Sequence, residues 1–178
     1  RVPGTAASDD RDASAISFML DQAESKDVIC DTECAPGMQE PLAQAKVKPL
    51  LIDSSDLACG VEVKRLGKLD YEAFVAGGDP DFAWAMPADE WNAISLNYTS
   101  GTTGNPKGVV YHYRGAYLNA INNILDWSMP KHPVYLWTLP MFHCNGWCFP
   151  WAVTGAGGVH VMLRALDPAR ILELLVRE

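Results

Sequence analysis

The stretch Asn97-Tyr98-Thr99-Ser100-Gly101-Thr102-Thr103-Gly104-Asn105-Pro106-Lys107-Gly108 constrains this chain more than any other. Its glycines allow positive φ and let backbone N–H groups approach a ligand closely. Successive N–H groups in such a turn form an anion-binding nest. The hydroxyls of Thr99, Ser100, Thr102 and Thr103 add donors for phosphate oxygens and can also ligate Mg2+. Lys107 brings a mobile positive charge, and Pro106 before it limits the freedom of the turn. Apolar flanks, Ala93-Ile94-Ser95-Leu96 before and Val109-Val110 after, read as strands. The stretch therefore reads as a polyphosphate-binding loop carried between two strands. It is not a Walker A motif, which needs Gly-Lys-Ser/Thr opening a helix, whereas here the β-branched Val109-Val110 pair favours a strand. An ordinary hairpin turn would account for the glycines and asparagine. Such turns seldom combine so many hydroxyls with a Pro-Lys-Gly exit.

The run from Tyr98 to Gly108 resembles the phosphate-loop signature of the AMP-forming adenylating superfamily, which holds acyl-CoA synthetases, luciferases and the adenylation domains of peptide synthetases. A second stretch, Leu139-Pro140-Met141-Phe142-His143-Cys144-Asn145-Gly146-Trp147-Cys148, resembles the acyl-pocket motif of fatty acyl-CoA synthetases. The resemblance continues more loosely from about Ser14 to the last residue. It implies an α/β fold, part of the large N-terminal domain of that superfamily, with mixed sheets flanked by helices.

The activity implied is ATP-dependent. A carboxylic acid, by the second motif a fatty acid, attacks the α-phosphate of ATP and pyrophosphate leaves. The acyl-adenylate then meets the thiol of coenzyme A, and AMP is released. By resemblance Thr99, Ser100, Gly101, Thr102, Thr103, Gly104 and Lys107 bind the phosphates, and Thr102 ligates Mg2+. His143 lies near the acyl carboxylate and the loop, as a catalytic residue beside Lys107, and Trp147 gates the acyl pocket. Each of the last two has a plainer alternative: a satisfied core histidine for His143, and core packing for Trp147. Two other functions stay open. One is a ligase for a short, sulfur-containing or aromatic acid. The other is a non-catalytic ATP-binding or interaction module.

With 178 residues the chain is long enough for one domain with a real core. Hydrophobic residues make up 48% and charged residues 20%, as in globular chains. A formal net charge of −8 argues against a general nucleic-acid partner. No apolar run approaches the ~20 residues of a membrane span, so the expected partners are the small-molecule substrates. Cys30, Cys34, Cys59, Cys144 and Cys148 form an odd set without a visible secretory signal, so reduced thiols and a cytoplasmic setting are the expectation. Four of them sit at C-x3-C spacing, but structural zinc usually shows shorter knuckles, and Cys148 in Gly-Trp-Cys-Phe-Pro-Trp suits a buried thiol.

Residues 1–13 are small, polar and without period, and read as a disordered leader or a truncation scar. Residues 14–178 read as an incomplete AMP-binding domain. The superfamily's adenine- and ribose-contacting motifs, its acidic magnesium ligand and its small C-terminal domain would all follow residue 178. The expectation for the isolated segment is therefore little or no turnover.

In chain order, Ile16, Met19, Leu20 and Ala23 recur at helical spacing, with Ser14 as a cap. A strand follows at Asp27–Asp31. Pro36-Gly37 reads as a break, with a helix from Met38 to Ala45, and Pro49–Asp53 is a second strand. This alternation implies crossover units and a parallel sheet. Residues 54–68 carry no nameable chemistry. Asp70–Ala76 reads as a short helix stopped by Gly77-Gly78, and Asp79 to Asp89 as a solvated linker. After the loop, Arg114–Trp127 reads as a helix with Ala116, Leu118, Ile121, Ile124 and Leu125 as its apolar face. Strands are expected at Val134–Leu139 and Val159–Leu163, and a last helix opens at Asp167-Pro168 with Ile171, Leu174 and Leu175 buried. His112 reads as structural, and His132 and His160 as surface and strand positions.

Overall fold

The computed structural model describes residues 5–6, 13–56, 65–99 and 106–177. The chain divides into two compact units: Ala7–Met86 with Tyr98–Gly108, and Arg1–Ala6 with Pro87–Asn97 and Val109–Glu178. Strand β1 (Thr5–Ala6) lies within the stretch read as a leader and pairs in parallel with Leu96 and Asn97.

The unit built on residues 7–86 alternates helix and strand as its hydrophobic periods predict. Helix α1 (Ala13–Gln22) buries Ile16 and Met19, and it begins one residue before Ser14, which therefore lies inside its first turn. Strand β2 (Asp27–Asp31) leads to helix α2 (Ala35–Gln44), strand β3 (Leu50–Ser54), strand β4 (Leu69–Asp70) and helix α3 (Tyr71–Ala76). The three strands form one parallel sheet in the order β2-β3-β4, with Asp27 opposite Leu50 and Ile52 opposite Leu69. Parallel neighbours need a crossover, and α2 supplies the one between β2 and β3. Pro36-Gly37 does not break the chain as expected. Pro36 sits in the first turn of α2, where a missing N–H is one of the unpaired donors anyway.

Residues 65–68 are organised by Asp53, which the sequence did not single out. Its carboxylate is 1% exposed and accepts the backbone N–H of Leu66 at 2.9 Å and of Gly67 at 3.0 Å. A Cβ on Gly67 would strike the Leu51 carbonyl, so the segment lies directly against β3. Asp53→Ala in the full-length protein should cost about 2 kcal/mol locally, seen as roughly thirtyfold faster amide exchange at Leu66 and Gly67. Unchanged protection there would show that the carboxylate does not hold the segment. Nearby, burial first, then Cys34 and the carboxylates of Asp53 and Asp31, push the Cys30 thiol up to about 11, which keeps it protonated and unreactive.

The other unit carries strand β5 (Ala93–Tyr98) and strand β6 (Gly108–His112) except their loop-side ends Tyr98 and Gly108, then helix α4 (Tyr113–Asp126), strand β7 (Val134–Leu136), the single turn α5 (Cys144–Trp147), helix α6 (Phe149–Gly155), strand β8 (Val159–Val161) and helix α7 (Pro168–Arg177). One sheet runs β1-β5-β6, and β7 pairs in parallel with β8, so that two small sheets serve this unit. Strands β7 and β8 are shorter than expected, because Thr138 and Leu139 and then Met162 and Leu163 leave the ladder, although the Trp137 N–H still donates to the Val161 carbonyl at 2.9 Å.

The apolar face of α4 is only partly the one expected, with Ala116 and Ile124 on it as read. Ala116 and Ala120 are buried and Ile124 half-buried, whereas Leu118, Ile121 and Leu125 face outward. The small residues win because α6 packs close: Ala120, Cys148 and Ala152 form one cluster, with Tyr111, Ile124, Met129 and Trp151 around it. A second cluster joins Trp137, Phe149 and Val153, where Tyr135 stacks on Phe149 at 5.1 Å. On α7, Leu174 is buried as expected but Leu175 is 64% exposed. His160 is no bare strand position. It accepts the Trp137 indole N–H at Nδ1 (2.9 Å), and its Nε2 lies 3.0 Å from the Thr154 hydroxyl, which donates to the Pro150 carbonyl. No helix among the described residues is long and apolar enough to cross a membrane.

Candidate active site

The stretch read as a phosphate loop joins β5 to β6, and β6 is a strand, as the Val109-Val110 pair implied. A connection this short cannot make a parallel crossover, so the two strands form a hairpin. Thr99 donates its N–H to the Lys107 carbonyl at 3.0 Å and closes the neck of the loop. Pro106 is buried, while Lys107 is exposed. The Tyr98 hydroxyl donates to the Met19 carbonyl on α1 at 3.4 Å and ties the entry of the loop. Ser100, Gly101, Thr102, Thr103 and Gly104 lie outside the described residues. The threonine and serine hydroxyls assigned there are hard oxygen donors, the ligand chemistry that Mg2+ prefers. Among the described residues, no three His, Cys, Asp or Glu side chains converge as a metal centre would require.

The acyl motif adopts a backbone that sequence periodicity does not signal. Cys144, Asn145, Gly146, Trp147 and Cys148 all have positive φ, between 51° and 66°. Cys144–Trp147 is thus a left-handed turn, closed by the Gly146 N–H on the His143 carbonyl (2.9 Å) and the Cys148 N–H on the Asn145 carbonyl (3.1 Å). Left-handed geometry costs about 1–2 kcal/mol for each ordinary L-residue and almost nothing for glycine. Gly146 and Asn145 suit it, and Cys144, Trp147 and Cys148 do not. Such strain persists only where the surroundings over-determine it.

The surroundings here are four side chains from two elements. On β5, Ser95 and Asn97 are both buried and, being two apart, point to one face. Asn97 Nδ2 donates to the Phe142 carbonyl at 2.9 Å, and Ser95 Oγ accepts Asn145 Nδ2 at 2.7 Å. On α4, Asn119 and Asn123 are one turn apart and so neighbours on the helix surface. Both amides donate to the Trp147 carbonyl, at 3.3 and 2.7 Å. Under the turn, Gly146 sits against the buried Trp137 ring, where an added Cβ would come within 2.7 Å of Cζ3.

The turn sets its ends in opposite directions. Cys148 is 1% exposed in the core, and burial pushes its thiol above the ordinary range, while the Asn119 amide partly opposes that. His143 and Cys144 are exposed, and Trp147 is 59% exposed. Within this segment neither His143 nor Trp147 packs into the core. Burial, the neighbouring Cys144 and Cys148, and a hydrogen bond with Cys144 raise the Tyr111 phenol.

At the start of α4, His112 plays the structural part expected of it. Its Nδ1 accepts the Gly115 N–H at 2.9 Å as an N-cap, and its ring packs 4.7 Å from that of Trp91. Sequence reading missed Ser95, Asn97, Asn119 and Asn123. The available signal was polar side chains recurring at the buried spacing of β5, and an i,i+4 asparagine pair on α4.

Comparison with known proteins identifies the family to which a chain with these two stretches belongs. Residues 5–178 match the family of AMP-binding enzymes, and the chain belongs to that family. It is 42% identical over 176 residues to the peroxisomal acetate/butyrate–CoA ligase AAE7 of Arabidopsis thaliana, covering 93% of this chain and 31% of that protein. It is also 42% identical over 173 residues to the 2-methylpropanoate–CoA ligase CCL4 of Humulus lupulus, again covering 93% and 31%. The chain thus spans about a third of the length of these curated relatives. Among solved structures, MatB from Rhodopseudomonas palustris superposes with a TM-score of 0.75 at 22% identity, over 97% of this chain and 32% of that one. The fatty acyl CoA synthetase of Mycobacterium tuberculosis gives 0.70 at 20% identity, over 96% and 31%. The α/β fold is that of the N-terminal domains of these enzymes.

Proposed function

We propose that the full-length protein activates a carboxylic acid with ATP and passes the acyl group to coenzyme A. The observation that carries this reading is the 42% identity to ligases named for acetate, butyrate and 2-methylpropanoate, across the segment that holds both motifs. The acid is an aliphatic one, and those names favour the short end of the range over a long fatty chain. The carboxylate displaces pyrophosphate from ATP to give an acyl-adenylate, and the thiol of coenzyme A then displaces AMP.

The residues of the loop would act by charge neutralisation and positioning, which dominate phosphoryl-type transfer. Thr99, Ser100, Thr102 and Thr103 offer hydroxyls to the β- and γ-phosphates, Gly101 and Gly104 offer close backbone N–H groups, and Lys107 offers a cation. Thr102 would give Mg2+ one oxygen ligand, and the ion supplies further charge neutralisation. His143 would face the acyl carboxylate, and Trp147 would bound the acyl pocket. In this reading residues 14–178 are an incomplete AMP-binding domain that needs the rest of the protein for turnover.

Acid-dependent ATP–pyrophosphate exchange by the full-length protein tests the proposal with a panel of acids from acetate to long fatty chains. Exchange that peaks at two to five carbons, an order-of-magnitude window set by how little one methylene discriminates, supports the short-acid reading. A peak among long chains keeps the ligase and assigns it a fatty substrate. Exchange with no acid, from a folded protein that still binds ATP, overturns the enzyme reading in favour of a binding module.

A further inference from the structure

We infer that Asn119 and Asn123 on α4 form an amide clamp on the Trp147 carbonyl and serve as positioning residues for acid selection; the inference rests on the ligase reading. Neither residue touches a reacting atom. They act through the backbone of Trp147, whose φ of 58° its side chain would not choose. A carbonyl has two lone pairs, and here two side-chain amides on one helix face address the same oxygen, at 2.7 and 3.3 Å.

The direction of the Trp147 indole follows from the direction of its peptide. A tryptophan in extended or right-handed backbone would leave the turn along another vector. In this segment the Trp147 side chain is 59% exposed, so its backbone carries much of what orients it here. Downstream, Cys148 is locked in the core beside Ala120 and Ala152. Upstream, Asn97 holds the Phe142 carbonyl and Ser95 receives the Asn145 amide. Trp147 is the residue between these anchors with an exposed side chain and a doubly held backbone. Two donors from α4 make the orientation of one exposed aromatic depend on the helix.

The test uses the full-length protein with Asn119→Ala, Asn123→Ala and the double variant. Asn123→Ala should raise the KM for the preferred acid about fivefold and Asn119→Ala less, following the strength of the two bonds. Because each donor covers for the other, the double variant should exceed the product of the two, at about thirtyfold. The KM for ATP should stay within about twofold, since the bonds removed are not on the phosphate loop. A second readout does not need turnover: protein labelled with 5-fluorotryptophan gives a Trp147 fluorine line, identified by its loss in Trp147→Phe. That line should be single in the unmodified protein and shifted or split in the double variant. A folded double variant with unchanged acid KM and an unmoved Trp147 line overturns the clamp. So does a parallel loss for acid and ATP with that line unmoved. If the unmodified protein exchanges pyrophosphate with no acid, the ligase reading fails, and the fluorine line alone decides whether the clamp exists.

Discussion

If the proposed reading holds, Lys107→Ala in the full-length protein should lower acid-dependent pyrophosphate exchange by about 10²–10³-fold, the size of effect expected when one preorganised charge partner of a transferring phosphoryl group is lost. The protein should remain folded. Lys107 is exposed, and among the described residues no carboxylate pairs with it. Its structural work is done by its carbonyl, which accepts the Thr99 N–H at 3.0 Å and which alanine keeps. Surface truncations of this kind change stability by only about 0.5 kcal/mol. The measurement is exchange rate against ATP concentration, with the thermal transition as a control. Arginine at this position keeps the charge but replaces a compact ammonium with a planar fork, so partial recovery in Lys107→Arg would support a simple charge role. Exchange within tenfold of normal in Lys107→Ala would remove this lysine from the phosphate site.

The largest effect on stability is expected at Gly146. Gly146→Ala adds a Cβ at a φ of 55°, within 2.7 Å of Trp137 Cζ3, 2.9 Å of Cη2 and 3.3 Å of Pro150 Cδ. The left-handed backbone and the collision are separate penalties, about 1–2 kcal/mol for the first and 1–3 kcal/mol for the second. Their sum is about 3 kcal/mol, and it falls on a buried ring that cannot give way. Trp137 is 4% exposed, stacked on His160 and edge-on to Tyr135. Hydrogen exchange over residues 141–153 should therefore speed up by about two orders of magnitude, with a smaller change at β2 and β3 in the other unit. Uniform acceleration across the chain would mean global unfolding and not a local strain. No acceleration would mean that the left-handed turn does not exist in solution.

Much of the fold was legible because it rests on local rules. The period of Ile16 and Met19, the apolar runs at Asp27–Asp31 and Leu50–Ser54, and the proline of α7 at its first position depend on neighbours in sequence. The strands on either side of the loop were legible for the same reason, since Ala93-Ile94-Ser95-Leu96 and Val109-Val110 are contiguous β-favouring runs. Errors came where a distant neighbour decided. Leu118, Ile121 and Leu125 fit a helical apolar stripe as well as Ala116 and Ala120 do. Only the close approach of α6 selects the small residues as the buried side. Pro36-Gly37 looked like a break because composition does not say whether a proline lies at the first turn of a helix or beyond its end.

The candidate site divides in the same way. By itself the sequence supplied the candidates for the site: the hydroxyls and Lys107 of the loop, and His143 and Trp147 of the second motif. Their identity is a property of chain order and needs no partner. Only the tertiary structure decided how His143 and Trp147 are presented. A run of five positive φ angles in Cys-Asn-Gly-Trp-Cys is unfavourable in isolation. It exists because hydrogen bonds with Ser95, Asn97, Asn119 and Asn123, a packed Trp137 and a buried Cys148 together outweigh the strain. Those contacts join residues 24 to 50 positions apart, and no local pattern encodes an energy that only folding brings together.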